Sequence, residues 1–495
     1  MARRRKIADR TWTVWTLGVI LLAALAREGW NALALVPAHF DEAQYWLYGE
    51  APALGYYSKP PLAAWMIRAA TEALGDTLFA LRLFSPLCHL WIAWLVYAAA
   101  RRLFDARTGF WAALGYSLAP GVTASAGLMT TDPPMMLGWA GAFYALVRIL
   151  TRRGRGVPES LAWWAVLGAS LGVGMLAKYT ALVLAGGGLG YALFSREGPW
   201  RWRWRGPLVA AAAFLALWSP NLIWLLANGF ASLAHLSENA DQGAGFTPGG
   251  LPEFLGTQAG VIGPVFLLAL LWAGWRRSDW RGDWRLRLLF WLSAPLFLAM
   301  CVQSLLGGAN ANWAAPSYIA GSIVAAWWLL RRAWARALRL QLGIGVAAAL
   351  LLWGLAALYA EYGTGLPRFA DPYKKTRLAG PFCDRVIAAM EETGTEILLS
   401  DDRRRLAECG FAAALAPGQI RIWNPADRVT NHFEMVASLA PPDGRPMLLA
   451  LLNRDGERQA AHFAFAEPVD AGEFSTHADR TDSYTIWLVQ GFRGY

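Results

Sequence analysis

Eleven apolar stretches, near 12–33, 78–100, 108–125, 130–150, 160–177, 179–195, 206–226, 256–275, 286–306, 313–330 and 340–360, recur along the chain and constrain what it can fold into. Each approaches the ~20 residues that a helix needs to cross about 30 Å of hydrocarbon, where every backbone polar group must be satisfied within the segment. With 56% hydrophobic and 16% charged residues in a chain of 495, a single soluble enzyme is the poorest fit. The expectation is an α-helical polytopic membrane protein with about 11–13 transmembrane helices. The Gly- and Ala-rich runs at 108–150 and 160–195 have no sharp ends, and they set that range.

Charge supplies the orientation. The formal charge of +10 divides into +14 for residues 1–360 and −4 for residues 361–495, which hold 15 basic and 19 acidic residues. Basic groups lie at Arg3, Arg4, Arg5 and Lys6, at Arg101, Arg102 and Arg107, at Arg152, Arg153 and Arg155, at Arg196, Arg201, Arg203 and Arg205, and within 276–287 and 331–339. From Gly206 to Trp275 there is no Lys or Arg. Clusters in every second loop are the mark of membrane topogenesis rather than of a nucleic-acid partner, and none is expected. The N-terminus is therefore expected in the cytoplasm. The loops 34–77, 126–132, near 178, 227–255 and 307–313, with the tail, then face the extracytoplasmic side. No small-residue cleavage site follows the first apolar stretch, which reads as an uncleaved helix.

After residue 360 the chain turns polar, with a helix-like 381–390, a strand-like 396–400 and apolar runs at 420–423, 447–452 and 484–489. That alternation implies a small α/β domain. The expected division is a transmembrane catalytic domain over 1–360, including the first outer loop 34–77, and an extracytoplasmic α/β domain over 361–495. Cys383 and Cys409 fall in this domain, where a disulfide and two buried thiols are both open readings. Cys88 and Cys301 lie in apolar stretches, and no cysteine pattern resembles a metal site.

The first outer loop carries the densest chemistry: His39-Phe40-Asp41-Glu42, then Gly55-Tyr56-Tyr57-Ser58-Lys59-Pro60-Pro61. Asp41 can serve as a general base or orient an acceptor, and Lys59 can neutralise a bound or departing phosphate. The same residues are explained equally well by acids capping an interfacial helix and a lysine snorkelling toward headgroups. Asp132, before Pro133 and Pro134, reads as an N-cap and as a site acid at once. Lys178 interrupts an apolar hairpin, and an ionisable residue there is functional by default, with snorkelling as the plain alternative. Asn221, Asn310, Asn312 and Trp313 bring amides and an indole to span ends, where they can grip sugar hydroxyls or satisfy helix termini. His235 and Glu238 are weak metal candidates. Gly186-Gly187-Gly188-Leu189-Gly190, Gly168 and Gly172 read as close helix packing rather than nucleotide binding.

Five motifs in order resemble the bacterial ArnT-like branch of the protein-O-mannosyltransferase superfamily. They are Asp41-Glu42-Ala43-Gln44-Tyr45-Trp46, Gly55-Tyr56-Tyr57-Ser58-Lys59-Pro60-Pro61, Thr131-Asp132-Pro133, Ala177-Lys178-Tyr179-Thr180 and Asn312-Trp313-Ala314-Ala315-Pro316. The resemblance runs essentially end to end and implies the GT-C fold and inverting transfer of a sugar from a polyprenyl-phosphate carrier. It makes Asp41 the essential first-loop acid, Asp132 the second acid, and Lys59 the holder of the carrier phosphate. Lys178, Tyr56, Tyr57 and Glu42 become donor or cavity contacts, while Asn312-Trp313 matches a family motif without an assigned role; from their places at span ends, Asn221, Asn312 and Trp313 are candidate cavity residues.

The expected function is transfer to an envelope glycolipid, lipid A or lipopolysaccharide core, at the periplasmic face. Protein or polysaccharide O-glycosylation on the same scaffold is the enzymatic alternative. A lipid or sugar transporter is the rival of another class, although its broken helices should place ionisable groups near the midplane of both halves. No cofactor is expected. Mg²⁺ or Mn²⁺ is what carboxylates beside a phosphate would recruit, and a lysine makes the metal unnecessary. The expected partners are the lipid-linked donor, the glycolipid acceptor and membrane lipids, with the chain a monomer.

Overall fold

The computed structural model describes residues 2–153, 160–195, 204–232, 245–276 and 282–495. They form two compact units, one of Met1–Gly29 with Phe84–Leu350 and one of Trp30–Leu83 with Leu351–Tyr495. The first outer loop is thus packed with the C-terminal residues, although its sequence neighbours belong to the helical unit.

Among the described residues five helices are long and apolar enough to cross a membrane: Leu78–Leu103, Asp132–Arg152, Arg205–Ala227, Trp284–Leu306 and Ala335–Gly365. The other apolar stretches take different forms. Residues 12–33 fall largely within the Ala2–Ala32 helix. Residues 108–125 divide into Ala106–Ser117 and Pro120–Ala126, since Pro120 can start a helix but not continue one. Leu161–Ala177 and Leu182–Phe194 are separated at Lys178 by the short 3-10 turn Tyr179–Ala181. Pro316 likewise separates the turn Ala311–Ala314 from the helix Ser317–Arg331.

The stretch at 256–275 is sharply broken: Gly250–Ile262 and Pro264–Trp275 meet at 118°. Gly263 takes φ +92 at the break, which a residue with a Cβ would resist. The buried Gln341 mends the backbone there. Its Nε2 donates to the Ile262 carbonyl at 2.7 Å and its Oε1 accepts from the Phe266 amide at 3.2 Å. Both would otherwise be unpaired in an apolar setting. Close helix packing accounts for Gly168, Gly172, Gly187 and Gly190, whereas a Cβ on Gly186 would meet nothing within 4 Å. A Cβ on Gly168 would lie 1.9 Å from the Ala210 carbonyl oxygen, and one on Gly187 2.4 Å from that of Trp291.

The second unit contains a five-stranded mixed sheet of β1 (Leu398–Ser400), β2 (Ile420–Ile422), β3 (Met447–Leu452), β4 (Phe463–His477) and β5 (Arg480–Phe492), in the order β2-β1-β3-β5-β4. β1 pairs in parallel with β2 and β3, while β5 runs antiparallel to β3 and β4. Leu399, Leu449, Leu451 and Val489 form the centre of its core. The helix Ala379–Thr393 carries Cys383, which is disulfide-bonded to Cys409 of the helix Arg403–Ala412. The sequence leaves the two thiols open, and the fold joins them.

A buried polar junction closes this unit. Asp371 accepts from Arg377 Nε at 3.1 Å and lies 3.1 Å from His477 Nε2. Arg377 also donates to the carbonyls of Leu35 and Ala356, both at 3.3 Å. Arg377 therefore ties the start of the first outer loop to the last apolar helix, and Asp371 links that guanidinium to His477 on β4.

Candidate functional site

The helix Phe40–Glu50 begins with a complete cap. His39 adopts an extended backbone, its Nδ1 accepts from the Asp41 amide at 3.3 Å, and Glu42 accepts from the His39 amide at 2.9 Å. Glu42 is wholly buried and is gripped by Arg82, whose Nε and Nη2 donate to its two oxygens at 3.0 Å each. The same guanidinium donates to the carbonyls of Val36 at 2.9 Å and Pro37 at 3.0 Å. A buried charge so fully partnered has little left for a ligand, and Glu42 holds the helix in place. Asp41, one residue earlier, keeps 31% of its side chain exposed, 3.8 Å from His39 Nδ1. Burial pushes the His39 imidazole below its usual range against the pull of Asp41 and Glu42, with Lys375 and Arg82 adding to the lowering. A neutral ring is what an Nδ1 acceptor requires.

Lys59 closes a tight turn in which Tyr56 and Lys59 exchange both backbone hydrogen bonds, at 3.0 and 3.2 Å. Pro60 and Pro61 follow, and the helix Leu62–Leu74 begins. Tyr56 is fully buried, stacks on Tyr48 at 4.3 Å and donates to the Tyr48 carbonyl at 2.7 Å. Burial pushes its phenol up to about 12. Tyr57 donates to the Val429 carbonyl at 3.0 Å, and its amide approaches His432 Nδ1 at 3.4 Å. Both tyrosines, expected from the resemblance as donor contacts, have their hydroxyls engaged within the packing of the loop on the C-terminal domain. Lys59 is half-buried beside them.

A second cluster lies within the helical unit. Asp132 opens the helix Asp132–Arg153, and its carboxylate takes Lys178 Nζ at 2.7 Å on one oxygen and Asn312 Nδ2 at 2.6 Å on the other. Lys178 lies at the break between two short helices and Asn312 in the Ala311–Ala314 turn, so three separate chain segments converge on one acid. Gln258, bound to the Ala311 carbonyl at 3.1 Å and accepting from the Tyr318 hydroxyl at 2.7 Å, steadies that turn. Asn221 is fully buried and accepts from the Tyr179 hydroxyl at 3.1 Å, next to Lys178. Trp313 is half-buried in the same turn as Asn312.

The motifs of the sequence thus sort into an exposed acid on a fixed helix, a lysine turn, and a Lys-Asp-Asn cluster suited to hydroxyl and phosphate oxygens. Arg82, Gln258 and His432 escaped notice in the sequence. Arg82 had a signal, a cation at the mouth of an apolar stretch. His235 and Glu238 lie outside the described residues. Among the described residues no group of three or more His, Cys, Asp or Glu could hold a metal ion.

The chain is similar to known sugar transferases. A family model described as dolichyl-phosphate-mannose-protein mannosyltransferase matches residues 58–224. The lipid A galacturonosyltransferase RgtD of Rhizobium johnstonii is 33% identical over 406 residues, 81% of this chain and 82% of that protein. The undecaprenyl phosphate-alpha-4-amino-4-deoxy-L-arabinose arabinosyl transferase 2 of Pseudomonas fluorescens is 29% identical over 379 residues, 69% of this chain and 63% of its own length. Among solved structures, ArnT from Cupriavidus metallidurans bound to undecaprenyl phosphate aligns with a TM-score of 0.65 over 96% of this chain and 98% of that one. At 16% identity that likeness speaks for the fold. A multi-pass inner-membrane body, a C-terminal sheet domain and relatives that are glycosyltransferases lead to one conclusion: the chain belongs to the ArnT-like family of GT-C glycosyltransferases.

Proposed function

We propose that the protein transfers a uronic sugar from a polyprenyl-phosphate donor to lipid A at the periplasmic face of the inner membrane, with inversion at the sugar carbon. The identity to a lipid A galacturonosyltransferase across four-fifths of both chains carries this reading. Asp41 is the acid whose exposure and fixed helix suit it to the reacting centre. For a hydroxyl acceptor it acts as the base; for a phosphate acceptor, already ionised, it orients the nucleophile. Lys59 takes the carrier phosphate, which leaves as the carrier's phosphate monoester. Lys178 and Asn312, organised by Asp132, offer a donor set for further oxygens of the substrates. Glu42, Tyr56 and Tyr57 act by positioning.

Turnover proceeds without a divalent metal, because fixed cations do the work of charge neutralisation. Loss of activity with EDTA, restored by Mg²⁺ or Mn²⁺, would overturn that part. The matched mannosyltransferase model favours a protein acceptor as the second reading. Incubating the purified enzyme and its lipid-linked donor with lipid A or with unfolded periplasmic protein separates the two. Labelled sugar on lipid A alone supports the first.

A further inference from the structure

The turn Tyr56-Tyr57-Ser58-Lys59 is strapped to residues 424–438 of the C-terminal domain. Tyr57, at a corner of the turn, is held twice: its hydroxyl donates to the Val429 carbonyl at 3.0 Å and its amide to His432 Nδ1 at 3.4 Å. The His432 ring also meets Tyr48 edge-on at 4.6 Å and Tyr56 edge-on at 5.2 Å, closing one side of a stack whose rings lie 4.3 Å apart. Tyr48 belongs to the helix Phe40–Glu50 that bears Asp41, and Tyr56 pairs with Lys59 across the turn. One imidazole therefore touches the helix of the acid and the turn of the lysine at once.

The segment can fix a position because it is fixed itself. At its base, the amide of the buried Asn424 donates to the Tyr495 hydroxyl at 2.8 Å, and its Nδ2 donates to the Arg428 carbonyl and to Ser438 Oγ, both at 3.3 Å. Asn431 caps the helix His432–Val436: its Oδ1 accepts from the Glu434 amide at 3.2 Å, and the Glu434 carboxylate accepts from the Asn431 amide at 3.2 Å. Ser438 then bridges to Ile422 at the end of β2, so the segment returns to the sheet. The Tyr57 amide can only donate, which makes Nδ1 the acceptor and puts the proton of the neutral ring on Nε2.

We propose that His432 is a positioning residue for the carrier phosphate: through the Tyr57 amide and the Tyr48–Tyr56 stack it sets the Lys59 turn against the helix of Asp41. The proposal rests on the reading of Lys59 as the holder of that phosphate, and it names what holds the lysine. Transfer breaks the bond between the sugar carbon and the phosphate oxygen, while the acceptor oxygen attacks the opposite side of that carbon. The cation on the leaving phosphate and the acid beside the acceptor must therefore keep their spacing, since a misplacement of about 1 Å costs ~100-fold in rate. Lysine is a point charge on a flexible stem, so its side chain alone cannot set that spacing and the backbone beneath it must.

The test reads carrier binding apart from chemistry, with sugar-free polyprenyl phosphate as the probe. His432→Phe keeps a ring in the packing and removes the acceptor, whereas His432→Asn places an amide oxygen near the site of Nδ1. His432→Phe should weaken the Kd for polyprenyl phosphate and raise the KM for the donor by about 3- to 10-fold, with the KM for the acceptor unchanged. His432→Asn should recover most of that loss. Lys59→Met should itself weaken carrier binding, and in that background His432→Phe should add nothing further, because the histidine acts through the lysine. Tyr57→Phe, which cuts only the strap to Val429, should give a smaller loss that also vanishes with Lys59→Met. Equal losses from His432→Phe in both backgrounds, or an unchanged carrier Kd in His432→Phe, would overturn the proposal while the Lys59 reading stands. An unchanged carrier Kd in Lys59→Met would remove the Lys59 reading and this proposal together.

Discussion

Asp41 and Glu42 are neighbours in sequence with opposite circumstances, and the difference is made by Arg82. Glu42 → Gln leaves the buried guanidinium without its counter-charge, and breaking a buried pair costs ~3–5 kcal/mol. We expect a clear drop in the thermal midpoint of the detergent-solubilised protein; an unchanged midpoint would mean that the pair does not hold the helix. His432 adds a pH signature. Its ring packs edge-on to Tyr48 at 4.6 Å and Tyr56 at 5.2 Å, and burial pushes it down to about 4. A folded value below the unfolded value of about 6.5 means that the unfolded chain binds more protons between them. The contribution is therefore intact above about pH 6.5 and lost as the pH falls toward 4. His432→Phe should flatten that acid limb in melts followed from pH 7 to pH 4. The acid pair was legible in the sequence as a candidate site. Which member faces solvent was not, because burial is decided by an arginine forty residues away.

Elements were read best where apolar length alone defined them, and worst where a single residue breaks a run or an edge lies in solvent. The stretch at 256–275 reads as one span, yet Gly263 turns it by 118° and Gln341, nearly eighty residues on, mends the gap. Gln341→Leu should destabilise by about 1–3 kcal/mol for each backbone group left unpaired, seen as a lower midpoint of thermal aggregation. β4 was missed for a different reason. It is an edge strand holding Pro468, Glu467, Asp470 and Glu473, residues that protect an edge and erase the apolar alternation by which strands are recognised. The Cys383–Cys409 bond fastens the helix that lies along Phe40–Glu50. By loop length, replacing both cysteines with serine should cost about 3–4 kcal/mol. Chemical unfolding of the double variant against wild type measures it, and a difference below 1 kcal/mol would show that packing alone holds the helix.

At the scale of the whole molecule, the sequence order of the five motifs identified the family before any geometry, while composition identified only a membrane protein. What neither revealed is that the first outer loop and the C-terminal residues form one unit, because the partners in the tail are residues without motif character: Gly410 under Leu47, Phe411 against Trp46, Val429 at the Tyr57 hydroxyl. The tail is thereby part of what positions Asp41, and the catalytic reading rests on that helix. Its most direct test is mass spectrometry of lipid A after incubation with purified enzyme and polyprenyl-phosphate-linked uronic sugar, for wild type and Asp41→Asn. The account predicts one added uronic residue with wild type and at least a hundredfold less with Asp41→Asn, at an unchanged thermal midpoint. Equal product from the two proteins would remove Asp41 from the reaction, and no product from wild type would contradict the proposed transfer itself.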